Sequence, residues 1–197
     1  RALTGFPAVL VTGPRQAGKT TFVRHALSAT HAYVSLDDPM ELDLARHDPV
    51  TFLDRYQGRP VILDEIQYAP ELLPYIKLRI DGDRDRAGRW VLTGSQQFAL
   101  MQGVTESLAG RVALLELLPF NVTERFSHAK VDLADLLWCG GYPEPVLKPE
   151  QRDLWLSSYI RTYIERDVRA LLKVVDLRAF ETFLGLVAAQ HAQALSY

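Results

Sequence analysis

The chain has 197 residues, 48% of them hydrophobic and 23% charged, which is enough for one well-packed domain with room for a small second element. A net charge of −2 and an isoelectric point near 6.2 give no global pull toward nucleic acid or an anionic membrane. A single cysteine, Cys139, excludes an internal disulfide framework and a cysteine-based zinc cluster, and no apolar run approaches the roughly 20 residues that span a bilayer.

Short apolar runs alternate with helical patterns along most of the chain, which predicts an α/β domain with a mostly parallel sheet. Ala8 to Thr12 (AVLVT) is the first strand and ends at glycine. Thr20 to Ala29 follows as a helix, with Phe22, Val23, Ala26 and Leu27 on one face. Ala32 to Leu36 is a second strand, closed by Asp37, Asp38 and Pro39. Helical spacing then runs from Pro39 to Tyr56, with a break expected near Asp48 and Pro49. Pro60 to Leu63 is a buried strand that leads into Asp64 and Glu65. Pro70 to Ile80 reads as a helix, residues 81–89 as a charged turn, and Trp90 to Thr93 as a fourth strand. A helix from Gln96 to Leu108 and a fifth strand from Arg111 to Leu117 complete the pattern. The strand runs are continuous rather than alternating, as expected of strands covered on both faces.

Beyond Pro119 the pattern turns helical. Leu133 to Cys139 is a short helix, and residues 140–143 (GGYP) form a turn. A long amphipathic helix is expected from Glu150 to Val175, with Trp155, Tyr159, Tyr163, Ile164, Val168, Leu171 and Leu172 on its apolar face. Arg161, Glu165, Arg166 and Asp167 take the other face. The chain begins at Arg1 and ends at Tyr197 just after a helical pattern, so the expectation is a fragment of a longer protein.

The segment Gly13-Pro14-Arg15-Gln16-Ala17-Gly18-Lys19-Thr20 fits G-x-x-x-x-G-K-[ST], and Thr21 follows it. Glycines let backbone N–H groups form an anion nest, and the helix behind presents its positive end to the same charge. Lys19 can reach β- and γ-phosphates, and the Thr20 hydroxyl can ligate Mg²⁺. The position between a predicted strand and a predicted helix is the one the mechanism requires.

A second element, Val61 to Glu65, brings two carboxylates to the end of a strand, where ligands sit in open α/β folds. Asp64 suits the Mg²⁺ shell, and Glu65 suits a base for the attacking water. Thr93, Gly94 and Ser95 bring small hydroxyls to the same edge; Ser95 is favoured as a γ-phosphate sensor, with a helix N-cap as its other reading. Arg111 opens the fifth strand, either as an arginine stabilising transition-state charge or as a surface salt-bridge partner. The five histidines show no metal-ligand spacing.

The runs GPRQAGKTT, VSLDDP, VILDEIQYAPELLPYIK, WVLTGSQQF, SLAGR, GGYPEPV and YIRTYIERDV together resemble the prokaryotic AAA-type ATPases fused to a C-terminal domain of unknown function. The resemblance implies a three-layer P-loop NTPase with a five-stranded parallel sheet over residues 1–120, in which the Asp64 strand is separated from the P-loop strand by another. A helical segment follows over residues 121–197. It implies a nucleotide loop at Gly13 to Thr20, magnesium and catalytic acids at Asp64 and Glu65, a polar sensor in the LTGS segment and an arginine finger at Arg111. ATP and Mg²⁺ are the implied ligands, with hydrolysis as the activity. A nucleotide-dependent switch with little turnover and a small-molecule P-loop kinase are the alternatives. The implied partners are ATP, a further copy of the chain, and DNA through a C-terminal part beyond this one. A cytoplasmic, non-membrane location is expected.

Overall fold

Five short runs rich in Val, Leu, Ile and Ala become strands, and the glycine-rich or charged stretches between them become turns and helices. In the computed structural model, which describes residues 1–95, 103–104, 106–126, 130, 132–164 and 177–190, these are β1 (Ala8–Thr12), β2 (Ala32–Ser35), β3 (Val61–Asp64), β4 (Trp90–Thr93) and β5 (Val112–Glu116). All pair in parallel, in the order β2-β3-β4-β1-β5. The β3 strand is therefore separated from β1 by β4, as the resemblance implies. Strand β3 starts at Val61 rather than Pro60, because proline has no N–H for the ladder; its carbonyl accepts from Ala32 N at 2.9 Å.

Helices cover both faces, giving three layers. On one face α3 (Pro39–His47), α4 (Pro49–Asp54) and α5 (Leu72–Gly82) bury Ala45, Phe52, Leu53, Leu73, Ile76 and Ile80 against Leu10, Leu63 and Leu92. On the other, α1 (Ala2–Gly5) and α2 (Lys19–Leu27) bring Leu3, Val23 and Leu27 onto Val9, Val11, Ile62 and Val91. The expected break between α3 and α4 has a clear cause. Asp38 and Asp48 cap the two helices, accepting from Met40 N at 2.9 Å and Thr51 N at 3.0 Å, and Pro39 and Pro49 follow as first helical residues.

The central strands β1, β3 and β4 are buried throughout, as their continuous apolar runs require. Strand β5 departs from the expectation of two covered faces: it is an edge strand, and Leu114 is 54% exposed. Of the helix expected over 96–108, residues 103–104 and 106–108 are helical, and the rest lies outside the described residues.

The chain divides into two compact units, Arg1–Leu147 and Lys148–Tyr197. In the first, α6 (Val122–Phe126), α7 (Leu133–Cys139) and α8 (Pro143–Leu147) follow the sheet. Phe120 N donates to Gly141 O at 2.7 Å, and Arg125 of α6 donates to Asp135 of α7 at 2.6 Å. In the second unit, the single long helix expected from Glu150 begins as a 3₁₀ turn (Pro149–Gln151). It continues as α9 (Arg152–Tyr159) and widens into a π turn over Ile160–Ile164, where i→i+5 bonding changes the facial spacing. Trp155 and Tyr159 stack at 5.0 Å on α9. Val168, Leu171, Leu172, Glu165, Arg166 and Asp167 lie outside the described residues, and α10 (Leu177–Ala189) follows. Among the described residues no helix is long and apolar enough to cross a membrane.

Candidate functional site

Because every strand runs the same way, Thr12, Ser35, Asp64 and Thr93 all finish at one edge of the sheet. At that edge β1 turns sharply into the loop. Gly13 has φ +143°, and a Cβ there would stand 2.0 Å from Leu117 O, so only glycine fits. Gln16 (φ 59°) and Gly18 (φ 92°) are also left-handed, the latter as the residue before α2. Left-handed residues in such a loop curve the backbone into an anion-binding concavity, and the first-turn N–H groups of α2 have no acceptor within the helix. Pro14 and Arg15 are half-buried, Ala17 is buried, and Gln16 and Thr21 are exposed.

Lys19 is 5% exposed, with its ammonium donating to Gly13 O at 3.1 Å and Pro14 O at 2.8 Å. Burial lowers its pKa from the ordinary lysine value, and Arg15 adds to that, while the Glu65 and Asp64 charges oppose it. One residue on, the Thr20 hydroxyl meets both oxygens of the Asp64 carboxylate, at 2.9 and 3.1 Å. The P-loop and the acidic strand end, 44 positions apart, are thus joined by a direct hydrogen bond.

Asp64 is 2% exposed and carries further hydroxyl partners. Thr93 donates to Oδ1, and the Tyr33 phenol donates to Oδ2 at 2.8 Å. Register explains both contacts. Leu63 pairs with Leu92 and Ser35 with Asp64, so Thr93 flanks Asp64 from β4 while Tyr33 reaches it diagonally from β2. Burial and the Asp64 carboxylate push the Tyr33 hydroxyl up to about 12, which keeps it a donor through the neutral range.

Glu65 leaves the strand in the left-handed region (φ 61°), uncommon for a residue with a side chain. Its N–H donates to Thr93 Oγ1 at 3.1 Å, and its carboxylate accepts from Gln67 Nε2. Ser95 is buried, and its Oγ has no hydrogen-bond partner among the described residues. The hydroxyl that links Asp64 with Glu65 is that of Thr93.

Arg111 is not brought to this edge. Its carbonyl accepts from Ala8 N at the start of β1, so the length of that strand, about 13 Å at 3.3 Å per residue, separates it from the loop. Its guanidinium gives two bonds to Asp81, at 2.7 and 3.1 Å, and one to Ala109 O. Action on a phosphate within the same chain is closed by this position. Tyr33 and Gln67 were not singled out from the sequence; the spacing of Tyr33 from Ser35 is the signal that, given the strand order, points it at Asp64.

The residues fit the implied ligands. A hydroxyl and a carboxylate are hard oxygen donors of the kind Mg²⁺ takes, and the Gly13 cradle and buried Lys19 ammonium suit a phosphate chain.

A family model described as AAA domain matches residues 5–126, and one for a domain of unknown function (DUF8612) matches residues 130–197. Two relatives, the uncharacterized proteins Rv2008c of Mycobacterium tuberculosis and Mb2031c of Mycobacterium bovis, are each 34% identical over 200 residues. Each alignment covers 100% of this chain and 44% of the relative, so the chain spans less than half the length of these proteins. With a P-loop at the carboxyl edge of a parallel β2-β3-β4-β1-β5 sheet, the chain belongs to the AAA domain family and carries a P-loop NTPase-type nucleotide-binding domain.

Proposed function

We propose that the chain binds ATP with Mg²⁺ and hydrolyses it to ADP and phosphate. The observation that carries this reading is the hydrogen bond from Thr20 to the buried Asp64, which closes the loop onto the acidic strand end. Thr20 and Asp64 would hold the Mg²⁺, which supplies charge neutralisation at the phosphates. Lys19 exchanges its bonds to Gly13 O and Pro14 O for phosphate oxygens. Glu65 takes a proton from the attacking water as the new O–P bond forms at the γ-phosphorus and the bond to the β-phosphate oxygen breaks. Thr93 fixes the backbone of Glu65 and one oxygen of Asp64 together, so the two acids keep their spacing. Arg111 serves, in this reading, only across a boundary between copies, once released from Asp81. ATP turnover then drives or switches an appended, DNA-related part of the longer protein, in the cytoplasm where ATP is supplied.

One observation favours a slower, switch-like cycle: the Glu65 carboxylate is engaged by Gln67. The decisive experiment measures ATP binding and phosphate release together. Wild type should do both, Lys19→Ala should lose binding, and Glu65→Gln should bind without turnover. Equal binding by wild type and Lys19→Ala sinks the P-loop reading. Tight binding with no phosphate release from any variant leaves the switch.

A further inference from the structure

Asp64 lies on β3 with a neighbour strand on each side, and each neighbour sends one hydroxyl to it. Thr93 comes from β4 to Oδ1, and Tyr33 from β2 to Oδ2 at 2.8 Å. Thr93 is expected from the strand-end pattern; Tyr33 belongs to no motif. The residue is 37% exposed on an edge strand, yet its hydroxyl is spent on a buried carboxylate. The ring is held there by Arg24 of α2, whose guanidinium carbon lies 4.8 Å from the ring centroid.

A carboxylate bonded on one oxygen only can still rotate about its Cβ–Cγ bond. Bonded on both oxygens from opposite sides it cannot, and its remaining lone pairs then face the Thr20 hydroxyl. We infer that Tyr33 is a positioning residue for divalent-metal binding, clamping Asp64 from the β2 side while Thr93 clamps it from the β4 side. This rests on the proposed Mg²⁺ and nucleotide reading. Partners that orient a metal-ligating carboxylate typically govern 10–100-fold in metal affinity. The phenol should act on the metal and not on the nucleotide, because its contact is with Asp64 and the loop is held by other groups.

The test uses Mn²⁺ with ADP, followed by electron paramagnetic resonance, on wild type, Tyr33→Phe and Arg24→Met. Tyr33→Phe should hold Mn²⁺ about tenfold more weakly in the ADP complex. ADP binding in EDTA should stay at the wild-type value, and the variant should remain folded at the assay temperature. Arg24→Met, which uncovers the ring but keeps the phenol, should give a smaller loss of the same kind. Unchanged Mn²⁺ affinity in Tyr33→Phe overturns the inference, as does an equal loss of metal-free ADP binding. Failure of wild type itself to take up ADP overturns the nucleotide reading instead.

Discussion

At its carboxyl edge the sheet is turned by Gly13 and Gly18, with φ of +143° and +92°; at its amino edge the same work falls to Gly88 and Gly110, with φ of +68° and +72°. Each pair has one crowded and one open member. A Cβ on Gly13 would meet Leu117 O at 2.0 Å and one on Gly88 would meet Leu3 O at 2.5 Å, while Gly18 and Gly110 have nothing within 4 Å. The backbone therefore does not distinguish the two edges, but the charges do. At the amino edge Arg111 faces Asp81 at 2.7 Å and the buried Arg89 faces the exposed Asp83 at 3.7 Å, each charge answered by its opposite. At the carboxyl edge Asp64 is answered by three hydroxyls and Lys19 by two backbone carbonyls, both away from solvent. Neutral partners leave each charge able to take up a charged ligand. Burying charges on such terms costs stability, and folds retain that arrangement chiefly at functional sites.

The glycines give the largest effects and the sharpest way to break this comparison. Gly13→Ala drives a Cβ into a backbone carbonyl at a left-handed position and should cost on the order of 3 kcal/mol or more in a urea melt. Gly88→Ala should fall in the same class. Gly18→Ala and Gly110→Ala carry conformational strain alone, about 1–2 kcal/mol each. Stability thus sorts the four by crowding, whereas ATP binding should sort them by edge: Gly18→Ala loses affinity and Gly110→Ala keeps it. Equal nucleotide affinity in those two open-site variants would erase the functional difference between the edges.

Thr93→Val comes next. The residue is fully buried, and the change keeps its shape while leaving the Glu65 N–H and Asp64 Oδ1 without their shared partner. Loss of about 1–3 kcal/mol of stability is expected, since an unsatisfied buried group is what remains. Phosphate release should fall further than ATP affinity, because the acids lose their common tether while the loop stays intact. A variant that releases phosphate at the wild-type rate would remove Thr93 from the catalytic arrangement.

Much of this was readable along the chain. Strand β4 occupies Trp90–Thr93 as its uninterrupted apolar run ending at Gly94 predicts, and the P-loop motif lies between the strand and helix it requires. The α3–α4 break followed from two Asp-Pro pairs, which act locally. The Tyr33 contact was not readable, because it depends on β2 lying beside β3 in a register that pairs Ser35 with Asp64, a fact of the sheet and not of either strand. The same holds for the exposure of β5, whose composition suits a central strand and whose position is an edge. Arg111 was half-readable: a residue that opens a parallel strand stands at the amino edge, opposite any loop that follows a strand.

The smallest expected effect concerns that arginine. Its guanidinium holds the Asp81 carboxyl below the usual carboxylate range, chiefly through the hydrogen bond between them. A depressed folded-state pKa contributes stability above the unfolded value, about 3.9, and loses it as pH falls through the folded one. Arg111→Ala should therefore unfold at slightly lower urea than wild type at pH 6, and the gap should close as the pH drops below 4. The pair is near solvent, so 1 M salt should narrow the gap as well. ATP affinity should be untouched at every pH, since the length of β1 lies between Arg111 and the loop. Phosphate release is where the two roles of Arg111 part. If it serves only its own chain through Asp81, turnover per chain is the same for wild type and variant at all protein concentrations. If it serves a neighbouring copy, wild-type turnover rises with concentration and that of Arg111→Ala does not.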